Sequence, residues 1–81
     1  MIRVKSVGYQ QDNVVLEIEF DHDGDVHMMS ISTKAANLLD MTVDEIKDAI
    51  VKKVQQKRLE LSRAAVEEKL SEVIEVDLEA S

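Results

Sequence analysis

Between positions 14 and 21 the side chains alternate: Val14, Leu16, Ile18 and Phe20 against Val15, Glu17, Glu19 and Asp21. A period of two fits a strand with one face buried and the other toward water, and it excludes a helix, whose apolar positions recur every three or four residues. Asp23-Gly24 follows, a pair that tolerates the positive φ angles of a two-residue primed turn, and residues 26–32 can return antiparallel. That turn sets Phe20 opposite His27, Ile18 opposite Met29 and Leu16 opposite Ile31, so the apolar faces of the two strands coincide. The other face pairs Glu17 with Ser30 and Glu19 with Met28. A first strand is expected from Ile2 to Tyr9, connected through Gln11, Asp12 and Asn13; its inward face is open, because Ile2 and Val4 have one parity and Val7 and Tyr9 the other. A bulge near Gly8 would reconcile the two pairs.

After Ser32 the period lengthens. Ser32 or Thr33 can cap a short helix containing Ala35, Ala36, Leu38 and Leu39, and Thr42 followed by Glu45 is a capping box for a longer one. Val43, Ile46, Ile50 and Val54 recur at helical spacing, and Ala65, Val66, Leu70 and Val73 continue the stripe beyond the polar run Gln55, Gln56, Lys57 and Arg58. Residues 43–73 read equally as one helix or as two antiparallel helices meeting near Ser62. Ile74, Val76 and Leu78 then alternate with Glu75, Asp77 and Glu79, which fits an acidic edge strand or a frayed helical tail. The expected fold is α+β: a three-stranded antiparallel sheet packed against one or two principal helices, with a short helix after the sheet and a possible fourth C-terminal strand. One small domain accommodates all of it, with 1–32 as sheet, 33–73 as helices and 74–81 as acidic tail or edge strand.

Composition bounds the function. Eighty-one residues bury only a modest core, so support from a partner or a second copy is expected. Seventeen acidic residues oppose ten basic ones, and no cysteine is present for a disulfide, a thiol nucleophile or a thiolate metal site. No apolar run reaches membrane-spanning length and no signal core opens the chain, so a cytoplasmic location without membrane contact is expected. Charge is uneven: 34–60 carries six basic and five acidic residues, whereas 1–33 and 61–81 each carry two basic and six acidic. Nucleic-acid phosphate is repelled by both ends.

Chemistry is sparse. Asp21, Asp23 and Asp25 around Gly24 resemble a calcium loop only in part, because Ser30 stands where the closing bidentate carboxylate belongs. His22 and His27 do not share a strand face, and His27 falls on the apolar one. Neither a nucleophile with its base nor a glycine-rich phosphate loop is present, so no enzyme, metal, cofactor or specific small molecule is expected.

The segment 33–46 resembles the helix-turn-helix class of DNA-binding motifs: Ala36 matches the small residue at the helix crossing, Leu39 and Met41 the packing positions beside the turn, and Ile46 an inward position of the second helix. The resemblance covers about a quarter of the chain and implies a small transcriptional regulator contacting DNA through Asn37 and Lys47. Asp40 stands where glycine is frequent, and Asp44, Glu45 and Asp48 face the groove such a helix would enter. This reading therefore stands as the alternative to a noncatalytic accessory or regulatory protein-binding module; a structural component of a larger assembly is a third. The module's expected contacts are Lys52, Lys53, Gln56, Lys57 and Arg58 on the helix and Ile74, Val76 and Leu78 in the tail. A homodimer is expected to use Ile50, Val54, Leu61, Val66 and Leu70.

Overall fold

The computed structural model describes residues 1–79. Three strands, β1 (Ile2–Gln10), β2 (Asn13–His22) and β3 (Asp25–Lys34), form an antiparallel sheet in the order β1-β2-β3, followed by a short helix α1 (Ala35–Leu39) and a long helix α2 (Val43–Ser71). This is the expected α+β arrangement of sheet, short helix and long helix.

The β2–β3 hairpin has the register that alternation and turn demanded. Phe20 pairs with His27, Ile18 with Met29, Leu16 with Ile31, Glu17 with Ser30 and Glu19 with Met28. Asp23 and Gly24 sit at φ 51° and 82°, the left-handed pair of a primed turn whose twist matches the strands. Pairing continues through Thr33 and Lys34, so the sheet ends two residues later than expected, and α1 is preceded by Lys34 with no side-chain cap, not by Ser32 or Thr33. The Ala35 amide donates instead to the Asp12 carbonyl at 2.8 Å, tying the start of α1 to the β1–β2 turn.

The irregularity in β1 lies between Val4 and Ser6, not near Gly8. Lys5 is the extra residue, and skipping it puts Ile2, Val4, Val7 and Tyr9 on one face opposite Phe20, Ile18, Leu16 and Val14. The parity conflict in the sequence is thus resolved in favour of all four.

α2 is a single helix. Thr42 Oγ1 accepts from the Glu45 amide at 3.2 Å while the Glu45 carboxylate accepts from the Thr42 amide at 3.1 Å, closing the capping box. Ser62 is an interior residue whose Oγ lies 3.4 Å from His22 Nε2. The polar run at 55–58 does not break the helix because Arg58 reaches down to the sheet: its Nε donates to the Asp21 carbonyl at 3.0 Å, and its guanidinium lies 5.9 Å from the centre of the Phe20 ring. Among the described residues the tail forms no fourth strand. Turns follow the helix at 72–75, with Glu75 at φ 62°, and residues 80 and 81 of the predicted tail lie outside the described residues.

The core is one row of β2 and one residue of α2: Val14, Leu16, Ile18, Phe20 and Val54 are buried, flanked by Ile2, Met29, Ile31, Ala35, Leu38, Ile50 and Leu61. α2 covers β2, the middle strand, and shades β3; of the inward row of β1 it reaches Ile2, and Val4, Val7 and Tyr9 are 43, 52 and 75% exposed. The described molecule measures 63 × 23 × 23 Å with a radius of gyration of 18.4 Å, against about 12 Å for a compact chain of this length.

Candidate protein-interaction site

Helical spacing decides where each charged side chain of α2 goes. With Val54 against the sheet, Lys53, Lys57, Gln56 and Glu60 turn toward β3, and together with Met28, Met29, Ser30, Ile31 and Ser32 they line a groove of about 540 Å³. Inward-facing Met29 and Ile31 and outward-facing Met28, Ser30 and Ser32 all contribute, so the groove follows the strand's edge and not one of its faces. β3 is the last strand of the sheet, and the backbone groups on its outer side have no neighbouring strand. Lys57 is 3.8 Å from Glu60 on the same helix.

Of the expected protein contacts, Lys53, Gln56 and Lys57 come together here. Lys52 is exposed elsewhere on the helix. Arg58 is not a free contact: besides the Asp21 carbonyl it binds Asp21 Oδ1 at 2.9 Å, so the hairpin end and α2 share it. Ile74, Val76 and Leu78 are exposed, but far along the chain from the groove. The open edge was not singled out from sequence, where a possible fourth strand stood as a neighbour that could pair with it.

Three of the expected dimer contacts belong to the chain's own interior. Val54 is fully buried and Ile50 and Leu61 pack partly buried on the core, whereas Val66 and Leu70 are exposed. The helical period is common to all five, and the sheet takes those within its reach. Asn37 and Lys47, the alternative DNA contacts, are exposed, and Lys47 lines a second groove with Ile2, Arg3, Val4, Ile50 and Val51, on the β1 side of α2.

At the hairpin end, His27 stacks on Phe20 with ring centres 5.5 Å apart, and His22 meets His27 edge-on at 6.0 Å and Asp23 at 3.3 Å. Among the described residues, no three His, Cys, Asp or Glu side chains converge at metal-ligating range. Asp21 is held below the ordinary carboxylate range, chiefly by the hydrogen bond from the Met1 amino group at 2.7 Å, with Arg58 adding to it. Glu45 is lowered as well, by the Thr42 amide first and its hydroxyl second.

Comparison with protein-family models, with curated proteins and with solved structures returns no match. Function has to be read from the surfaces. No helix among the described residues is long and apolar enough to cross a membrane.

Proposed function

We propose that this chain is a noncatalytic protein-binding module, acting in the cytoplasm, whose ligand is an extended acidic segment of another protein added as a strand to β3. The observation that carries the reading is the groove at the open β3 edge, with Lys53 and Lys57 along its helical wall. Strand addition uses main-chain hydrogen bonds for affinity and alternate side chains for selection. An incoming strand directs every second side chain toward α2, where carboxylates meet the two ammonium groups; Met29 and Ile31 offer apolar contact between them. The chain's net charge of -7 disfavours docking of such a ligand on its acidic surfaces.

The test is a titration of the intact protein with an acidic peptide of alternating apolar and carboxylate residues, followed by amide chemical shifts. Saturable binding with shifts concentrated at 28–32 is expected, weakened about tenfold by Lys53→Glu with Lys57→Glu. N-methylation of alternate peptide amides removes strand pairing and is expected to abolish binding. Binding indifferent to both changes defeats the proposal, as does sequence-selective duplex binding that Lys47→Ala weakens.

A further inference from the structure

Among the described residues, the distal part of α2 has no partner in its own chain. Ser62 lies against His22 at the hairpin end, and beyond it residues 63–71 project about 14 Å past the sheet, every one exposed. An isolated helical stretch of this length is marginal in water, since packing of an apolar face is what normally holds a helix. Such a face exists. At about 100° per residue, Leu59, Val66 and Leu70 fall within about 100° of Val51, a single stripe. Val51, at one edge of the stripe, lines the groove beside Ile2 and Val4, while Leu59, Val66 and Leu70 lie about 120–160° around the helix from the buried Val54 and so turn away from the sheet.

Charge says what covers it. Residues 47–58 hold Lys47, Lys52, Lys53, Lys57 and Arg58 with one acid, Asp48, whereas residues 67–79 hold Glu67, Glu68, Glu72, Glu75, Asp77 and Glu79 with one base, Lys69. The two stretches lie on one unbroken rod for most of their length and cannot meet within a chain. A second copy running parallel sets like charge on like, and one running antiparallel sets the basic stretch of each copy on the acidic stretch of the other.

We propose that the chain forms an antiparallel two-fold dimer in which the exposed stripe of α2 packs on its counterpart. The axis passes between Leu59 and Ser62, so Leu59 meets Ser62, Gln55 meets Val66 and Val51 meets Leu70 of the second copy, and the reverse contacts follow from symmetry. The register sets Lys52 beside Glu67 and Lys47 beside Glu72 of the other helix along the margins of the stripe. The helical wall of the β3 groove is Lys53, Gln56, Lys57 and Glu60, none of which belongs to the stripe, so each surface can fail without the other.

The test is equilibrium sedimentation of the full chain over a wide concentration range. A reversible dimer is expected, weakened by added salt; a monomer throughout overturns the proposal. Val66→Asp and Leu70→Asp lie outside the folded core, so each is expected to keep the sheet's circular dichroism while raising the dimer dissociation constant about thirtyfold or more. A dimer indifferent to both defeats the assigned interface. Lys52→Glu and Glu67→Lys are each expected to weaken the dimer about three- to tenfold, and the double variant to recover it. The orientation is read separately by oxidising a mixture of Gln55→Cys and Val66→Cys proteins: a mixed disulfide is the expected product, and disulfides linking Gln55→Cys only to itself mean a parallel pair and overturn the antiparallel one.

Discussion

The two parts of α2 have similar apolar spacing and opposite fates. Up to Ser62 the helix presents Ile50, Val54 and Leu61 to the sheet, with Val54 fully enclosed; from residue 63 onward Val66 and Leu70 meet only solvent in the single chain. Strands of ten residues extend about 33 Å, whereas a helix of 29 residues extends about 43 Å. The core of this protein ends where its sheet ends, and the periodicity does not. An apolar stripe therefore reports that a helix is to be covered, without reporting by which chain.

The sharpest way to break that contrast is to place the same charge in both parts. Val54→Asp puts a carboxylate among Ile18, Phe20 and Leu16, and desolvating it there costs more than a chain with so small a core can tolerate. Thermal and circular dichroism measurements are expected to find the variant unfolded. Val66→Asp, at protein concentrations low enough for monomer, is expected to shift the stability by no more than about 0.5 kcal/mol, as an exposed position does. Equal effects from the two would mean that the distal helix has an intramolecular contact and that the division at Ser62 is wrong.

Hydrogen exchange tests the same division without mutation. In dilute monomer, amides of residues 63–71 are expected to open locally and exchange orders of magnitude faster than those of 50–58, whose opening requires the core to unfold. At dimer-forming concentration the contrast shrinks. A smaller effect comes from the other end of the helix: Thr42→Ala removes the hydroxyl that accepts the Glu45 amide, with an expected loss of about 1 kcal/mol, seen as a melting point lowered by about 4–8 °C. That loss is to fall on the supported part of α2 and leave exchange at 63–71 unchanged.

These outcomes bear on what can be read from the chain alone. The register of the β2–β3 hairpin, though not its extent to Lys34, was legible to the residue, because alternation, a turn pair tolerant of positive φ and the pairing of apolar faces each specify one register. The bulge was not: Ile2, Val4, Val7 and Tyr9 require one somewhere, but Lys5 has no conformational peculiarity that marks it, and Gly8 did. Continuity of α2 was hidden for a related reason, since Arg58 interrupts an apolar stripe on paper and in space lays its stem over Phe20. The basic groove was half legible. Lys53, Gln56 and Lys57 could be assigned to one helix surface, but nothing local in residues 25–34 distinguishes an edge strand from a central one. The acidic tail shows the opposite failure, where a clear alternation at 74–79 has no free strand beside it in its own chain and ends in turns.

The smallest expected effect concerns the joint between the two parts of α2. Asp21 receives the Met1 amino group at 2.7 Å and the Arg58 guanidinium at 2.9 Å, and its carboxyl is held below the ordinary range, first by the amino group. A group whose folded pKa is lowered binds protons more readily when unfolded. Its contribution is complete above the unfolded value, about 4, and is lost as pH falls through the lower folded one. Glu45, lowered by the Thr42 amide, acts in the same direction at the start of the helix. Asp21→Asn is therefore expected to lower the urea midpoint modestly at neutral pH, and the difference from the unaltered protein is to close as pH drops below about 4. Because Asp21 is largely exposed, solvent and salt screen the pair, and the gap should narrow in high salt even at neutral pH. A difference that persists undiminished into strong acid would mean that Arg58 is held by the Asp21 carbonyl and the Phe20 ring, both insensitive to pH, and that the carboxylate does not help seat the helix where its supported part ends.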